Sequence, residues 1–336
     1  MARKRRVGVI GTFVWDVIHG RDPRDAPVEE WGGITYALGA FDAALASDWE
    51  LVPILKVGSD LADSARQFVG SLDRAAPGAA PIEVPHPNNR VALHYQSAER
   101  RCERLSGGVP GWSWLGLKPL LADIDALYIN LISGFELNLE TAQLIRQHFR
   151  GPIYCDLHSL LLALQPDGLR TPQPLKNPDA WLRCFDLVQV NEEEMRMMAP
   201  DGMSLAALAF FCGVRSLTVT IGSRGVVYFA APGFDDLKGF QRQAPLAAPK
   251  GSATAFSSSA AAIRTALVPA KRSRHGGPGD PTGCGDVWGA TYFSRLLAGD
   301  KLDAALDRAM DAAARNVDHR GATGLADYLR GELSIK

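Results

Sequence analysis

Thr282-Gly283-Cys284-Gly285-Asp286 places two glycines around a cysteine, with an aspartate directly after. The run VWGATYFSRLLAG follows, with apolar residues at helical spacing. Glycines here let successive backbone N–H groups converge without side-chain obstruction. At a helix N-terminus those donors and the helix dipole form an anion site. A carboxylate in the first turn is favoured by the same dipole and stays ionised near neutral pH. Asp286 could then take a proton from a hydroxyl nucleophile while the N–H groups hold a transferring phosphoryl group. The five residues are equally a plain helix start with an acidic first turn, and spacing alone leaves both readings open.

The elements that must position this turn are legible as an alternation. RVGVIG reads as a strand, ITYALGAFDAALAS as a helix, LVPILKVG as a strand and DLADSARQFVGSL as a helix. ALYINLIS, PIYCDL, LVQVN and SLTVTIG follow as strands, with the helix LNLETAQLIRQHF after the first of them. Such alternation predicts βαβ units and a mostly parallel sheet covered by helices on both faces. Continuous apolar strands suit a sheet buried on both sides. Two segments break the rhythm, 13–33 and 89–108. The second reads as a hairpin turning at Ser97-Ala98-Glu99. Inserted antiparallel strands of this kind predict a small β lid on a single α/β domain spanning 1–336. Residues 233–279, rich in Ser, Gly and Ala, read as a surface loop ending in the basic cluster Lys271, Arg272 and Arg274.

Bulk properties exclude several classes. With 336 residues, 46% hydrophobic and 22% charged, the chain is long enough for a large core, and its net charge of −1 offers no footprint for nucleic acid or a membrane surface. The basic opening MARKRR leads into a strand rather than a secretory signal. No apolar run reaches membrane-span length. Five widely spaced cysteines without a Cys-x-x-Cys pair suit a reducing cytoplasm and no zinc site. His158, in YCDLHSL, is the histidine nearest to chemistry, and a lone His at a strand end is ordinarily structural.

DPTGCGDVWGATYF resembles the C-terminal signature of the ribokinase/PfkB carbohydrate-kinase family through Asp280, Thr282, Gly283, Gly285 and Asp286. Cys284 stands where a small Ala is usual, a mild departure. The resemblance implies a ribokinase-like fold, Asp286 as catalytic base, and Gly283, Cys284 and Gly285 as the anion hole. NEEE, with Asn191 and Glu194, is similar to the family's Asn-x-x-Glu, which implies organisation of Mg²⁺ and phosphate through water at Glu194. Asn followed three residues later by Glu is also a capping box that requires no metal. Thr220, Gly222 and Gly225 in TVTIGSRG resemble a nucleotide loop that implies ATP, and equally suit a turn between two strands. KVGSD resembles a Val-Gly-x-Asp step. Asp16, Gly32 and Gly33 fall where the family binds its substrate, while Ala37 stands where an Asn commonly touches the sugar.

These matches, in order along nearly the whole chain, predict an ATP-dependent kinase acting on a hydroxyl of a sugar or sugar-like, polyhydroxylated small molecule. Arg90, Tyr95, Arg100, Arg101 and Arg104 on the hairpin are positioned to reach that substrate, and exposed lid strands favour a homodimer through the lid. A nucleoside acceptor is the alternative within this class, with Trp15, Trp31 and Tyr95 stacking on a base or, the plainer reading, filling the lid core. A non-catalytic ligand-binding homologue is the alternative outside it. A nucleic-acid-binding role rests on MARKRR and ERRCER alone.

Overall fold

The computed structural model describes residues 3–19, 26–95, 101–240, 263–273 and 279–333. Its strands are β1 (Arg5–Ile10), β2 (Phe13–His19), β3 (Val28–Gly33), β4 (Trp49–Ile54), β5 (Lys56–Gly58), β6 (Ile82–Val84), β7 (Asn89–Tyr95), β8 (Arg101–Ser106), β9 (Ala126–Asn130), β10 (Ile153–Asp156), β11 (Leu162–Leu164), β12 (Arg170–Pro172), β13 (Leu187–Asn191), β14 (Ser216–Thr220), β15 (Gly225–Ala230) and β16 (Arg264–Pro269). Eight of them make the main sheet in the order β16-β15-β14-β13-β10-β9-β1-β4. From β4 to β14 every pairing is parallel, and β15 and β16 close one end antiparallel.

The parallel strands are almost pure apolar runs because helices cover both faces. ALYIN and IYCD of β9 and β10 are buried at every position. The helices Ile34–Ala44 and Cys284–Leu297 are apolar around most of their circumference and sit deep in the core. Tyr128 and Tyr154 stack at 5.0 Å on the sheet, and Phe293 of the second helix lies 5.5 Å from Tyr154. This aromatic contact packs the body of the Cys284 helix on the sheet, while Asn130 of β9 and Gln189 of β13 donate to Asp286 and Gly285 at its start.

Segments 13–33 and 89–108 build a separate four-stranded sheet in the order β3-β2-β7-β8. β7 and β8 pair antiparallel from Arg90 opposite Ser106 to Tyr95 opposite Arg101. The proposed turn at 97–99 and Arg100 lie outside the described residues, as do the side chains of Tyr95 and Arg101. Phe13, Trp15 and Trp31 contact one another inside this sheet, with Trp15 edge-on to Trp31 at 5.1 Å.

The surface-loop expectation for 233–279 is corrected in part. Residues Arg264–Pro269 form β16, paired with β15 from Gly225 opposite Pro269 to Ala230 opposite Arg264. An edge strand exposed at most positions needs no hydrophobic run, so its sequence carries little strand signal. Residues 241–262 and 274–278, including Arg274, lie outside the described residues. The hairpin β11–β12 was also not expected from the sequence, because three-residue strands are too short to show a period. Among the described residues no helix is long and apolar enough to cross a membrane.

Candidate active site

Four parallel strands end on polar residues: Asn130 on β9, Asp156 on β10, Asn191 on β13 and Thr220 on β14. Parallel direction puts these ends on one edge of the sheet, where open α/β sheets bind ligands. A cavity of about 260 Å³ opens there, lined by Asp156, Asn191 and Thr220. Asp16 and Gly33 from the small-sheet side and Thr282, Gly283, Gly285 and Asp286 from the glycine-rich turn complete its polar wall. A second cavity, of about 630 Å³, is lined by Gly222, Gly225, Val226, Lys271, Cys284, Trp288 and Met310. Thr220, Pro281 and Gly285 line both, so the two spaces meet at the turn.

The turn is built by Gly283, whose φ of 74° is left-handed and which caps the Cys284 helix. An added Cβ there would sit 2.3 Å from the Tyr36 ring. Asp286 is the third helical residue, in the first turn where the dipole favours it. Asn130 Nδ2 donates to Asp286 Oδ1 at 2.5 Å. The backbone N–H of Cys284 donates to Pro281 O at 3.1 Å and that of Thr282 to Asp280 Oδ1 at 2.9 Å. Of the three N–H groups expected in the anion hole, Cys284's is thus committed elsewhere. Those of Gly283 and Gly285 have no backbone acceptor among the described residues. Thr282 Oγ1 is buried with no hydrogen-bond partner among the described residues.

Behind Asp286 lies a buried network around Asp156 and Gln189, two residues that no sequence motif named. Gln189 Nε2 donates to Asp156 Oδ2 at 2.7 Å and to Gly285 O at 3.2 Å, while Tyr154 Oη donates to Gln189 Oε1 at 2.5 Å. Burial first, then the charges of Glu194 and Asp286, push the Asp156 carboxyl well above its usual range. Burial also raises Glu194, to about 7. Asn191 and Glu194 form the capping box in full: Asn191 Oδ1 accepts from Glu194 N at 2.9 Å, and Glu194 Oε2 accepts from Asn191 N at 2.7 Å. Both residues also line the first cavity. Likewise, Thr220, Gly222 and Gly225 belong to the β14–β15 turn and line the second cavity.

Two groups would be required by phosphoryl transfer with Mg²⁺, and the residues present fit both. Clustered carboxyls whose mutual repulsion a divalent cation relieves face the cavity at Asp156, Glu194 and Asp286. Among the described residues no group of three His, Cys, Asp or Glu side chains is placed to hold a metal ion directly. The second cavity offers an apolar floor of Val226, Met310, Ala313 and Val317 with Lys271 and Arg272 at its wall. Lys271 is paired with Asp307 at 2.6 Å and Asp311 at 2.8 Å.

From the small sheet, Asp16 is 7% exposed and lines the first cavity. Gly32 is required there: a Cβ would lie 1.8 Å from Asp16 Oδ2. Arg90 is not brought to the cavity. It pairs with Asp60 at 2.7 Å, the aspartate of KVGSD. Ala37 is fully buried in the core, and the helix presents Tyr36 to the cavity instead. Burial, then Glu30, Asp280, Asp16 and Asp286, raise the Tyr36 hydroxyl, so it stays neutral. Trp15 and Trp31 line neither cavity and fill the small sheet. Glu103, His158 and Arg170 line the first cavity and had no motif to announce them. His158 has a positive φ of 28°, a conformation uncommon for a residue with a side chain.

No protein-family model matches this sequence, and no curated protein matches it. Solved structures do. A Burkholderia thailandensis nucleoside kinase in complex with inosine superposes with a TM-score of 0.67 at 15% identity, covering 97% of this chain and 95% of that one. An Arabidopsis thaliana ribokinase complexed with ribose and ATP gives 0.62 at 15% identity, covering 98% and 99%. A pyrophosphate-dependent kinase in the ribokinase family, complexed with a pyrophosphate analog and myo-inositol, gives 0.66 at 14% identity, covering 94% and 96%. With its eight-stranded sheet, its four-stranded companion and near-complete overlap with these structures, the chain has the ribokinase fold.

Proposed function

We propose that the protein is a ribokinase/PfkB-type phosphotransferase that moves the γ-phosphoryl group of ATP to a hydroxyl of a sugar-like small molecule. The observation that carries this is the meeting of two cavities at Gly285, with Asp286 in the wall of the smaller one. A donor in the larger space and an acceptor in the smaller would face each other across the glycine-rich turn. Similar proteins bound to ribose with ATP and to inosine support a small polyhydroxylated acceptor.

Asp286 takes the proton of the acceptor hydroxyl as its oxygen bonds to the γ-phosphorus and the bond to the β–γ bridging oxygen breaks. Asn130 holds one oxygen of Asp286 and so fixes the carboxylate's orientation. The N–H groups of Gly283 and Gly285 stabilise charge on the transferring oxygens, and Thr282 Oγ1 supplies a further polar contact. Glu194, beside Asn191, would hold a Mg²⁺ ion through water, and the cation would supply charge neutralisation on the phosphates. The small sheet covers the acceptor and excludes water that would otherwise receive the phosphoryl group.

The test is phosphoryl transfer from ATP across a panel of pentoses, hexoses, inositols and nucleosides, with the wild type and Asp286→Asn. The variant is isosteric and is expected to lose about 10²–10⁴ in turnover, the worth of a positioned base, with little change in melting temperature. Wild-type turnover in the variant would remove Asp286 from the reaction. Ligand binding with no transfer to any acceptor would favour a non-catalytic homologue.

A further inference from the structure

The helices Ile34–Ala44 and Cys284–Leu297 start side by side, where Tyr36 of the first packs on Gly283 at the head of the second. Local hydrogen bonds fix the first of these starts. Ile34 N donates to Thr12 O at 3.3 Å, and Thr35 Oγ1 donates to Gly32 O at 2.8 Å. Tyr36 is the third helical residue and only 2% exposed, yet it lines the smaller cavity. Its ring lies so close to Gly283 that a Cβ there would sit 2.3 Å from both Cδ1 and Cγ. The next residue, Ala37, is fully buried and offers the cavity no polar atom. The Tyr36 hydroxyl has no hydrogen-bond partner among the described residues, which is unusual for a phenol this deeply buried.

A polyol hydroxyl brings one proton and two lone pairs into such a site. An ionised carboxylate can take only the proton, so the lone pairs need donors. The amides of the cavity wall are already committed. Gln189 Nε2 donates to Asp156 Oδ2 and to Gly285 O, and Asn191 Nδ2 donates to Glu194 Oε1 at 2.6 Å. Tyr36 Oη keeps its proton, because burial and then the carboxyls of Glu30, Asp280, Asp16 and Asp286 hold the phenol neutral. It is thus a donor without an acceptor inside the described protein. Its ring is pinned against backbone, so the hydroxyl is held in place before any ligand arrives.

Resting on the kinase reading above, we propose that Tyr36 is a specificity-determining residue whose hydroxyl donates to an acceptor hydroxyl other than the one phosphorylated. The reacting oxygen needs a free lone pair to bond to phosphorus, and a donor there would oppose the attack. Tyr36 therefore reads a neighbouring oxygen and takes no part in proton or phosphoryl transfer. An acceptor lacking that oxygen leaves the phenol buried and unpaired, and binds more weakly.

The experiment compares the wild type with Tyr36→Phe, which removes one oxygen and leaves the ring on Gly283. Calorimetry and steady-state transfer are run on the panel of pentoses, hexoses, inositols and nucleosides named above, then on monodeoxy analogues of the member bound most tightly. Loss of one neutral hydrogen bond predicts that Tyr36→Phe raises the Kd and KM of that member roughly 3- to 10-fold, with kcat and the KM for ATP near wild type. One deoxy analogue should lose a similar factor with the wild type and almost none with Tyr36→Phe, a coupling that a merely structural tyrosine would not produce. Incorporating meta-fluorotyrosine at position 36 keeps the hydroxyl and guards against a folding defect in the phenylalanine variant. Its fluorine resonance should shift with the parent ligand and stay in place with that one analogue. Unchanged binding in Tyr36→Phe, a loss confined to kcat, or equal losses for every analogue in both proteins overturns the proposal while the kinase stands. Transfer to no acceptor, with binding and the deoxy coupling intact, overturns the kinase reading alone. Binding of no member of the panel overturns the proposal.

Discussion

Replacing Gly32 by Ala tests whether Asp16 is held where the acceptor needs it. Gly32 lies opposite Val14 on the neighbouring strand, two pairs along from Asp16 opposite Glu30 and on the same face of the sheet. The added Cβ would fall 1.8 Å from Asp16 Oδ2, 2.4 Å from its Cγ and 2.9 Å from Oδ1. No flexible tail absorbs this, because the clashing atoms are the functional group itself. To regain an ordinary contact of 3.4 Å the nearest oxygen must retreat by roughly 1.6 Å, more than the 1 Å misplacement that costs about 10² in rate. The expected result is a fall of about 100-fold in kcat/KM for the acceptor. Nucleotide affinity should be unchanged, since Gly32 does not line the larger cavity. A double variant locates the cause. If the effect runs through Asp16, Asp16→Ala with Gly32→Ala is no worse than Asp16→Ala alone. Wild-type kinetics in Gly32→Ala, or additive losses in the double variant, would refute the reasoning. Gly70→Ala is the control: its Cβ meets nothing within 4 Å, in a helix, and should stabilise by about 0.5–1 kcal/mol without touching activity.

Gly283→Ala meets both a left-handed backbone and the buried Tyr36 ring at 2.3 Å; urea denaturation should show a loss of at least about 2 kcal/mol, with turnover lost as well. Arg146→Met leaves the Asp186 carboxylate buried opposite no guanidinium, where the pair now sits at 2.7 Å with exposures of 5% and 1%; it should cost about 3–5 kcal/mol, and adding Asp186→Asn should restore much of that. Burial raises the Cys284 thiol to about 11, so it is almost wholly protonated at pH 8, and iodoacetamide labelling at this position, followed by peptide mapping, should accelerate about tenfold per pH unit until that value is approached. Cys284→Ala should remain active, and a Cys284 that labels at pH 7 as fast as a free thiol would contradict the burial.

Much of the frame was readable because parallel strands buried on both faces must be apolar throughout. ALYIN, PIYCD, LVQVN and SLTVT each announce themselves, and β9, β10, β13 and β14 follow in that order. The start of the Cys284 helix was readable because its turn chemistry is local. What depended on helix phase was not. The helix Ile34–Ala44 is apolar on nearly every side, so its pattern assigns no face to the cavity. A one-residue difference then decides everything: Ala37 goes into the core and Tyr36 faces the site. Arg90 fails for a related reason. Its strand was right, but its partner Asp60 comes from another element, and long-range pairing leaves no trace in spacing.

One regularity would have found more of the site. Each of the four apolar runs closes on a polar residue, Asn130, Asp156, Asn191 or Thr220. In parallel strands the last residues share one edge, so these four residues had to converge wherever the sheet order placed them. That rule alone brings in Asn130 and Asp156, which no motif named, and it explains why the capping box at Asn191 coincides with a cavity wall. A helix beginning where a strand ends must cap itself at the same edge that binds ligands. The rule stops at Arg170. That residue arrives from a short hairpin beyond the end of β10, anchored by Ile132 O and Ser159, and only packing brings it to Glu103. The small-sheet side of the cavity is thus assembled from contacts between elements, whereas the glycine-rich turn is written in consecutive residues. Chemistry common to many acceptors can be carried by a local turn, but discrimination among acceptors needs groups from several directions. Residues that only packing brings to the cavity are therefore the ones a linear reading is least able to see.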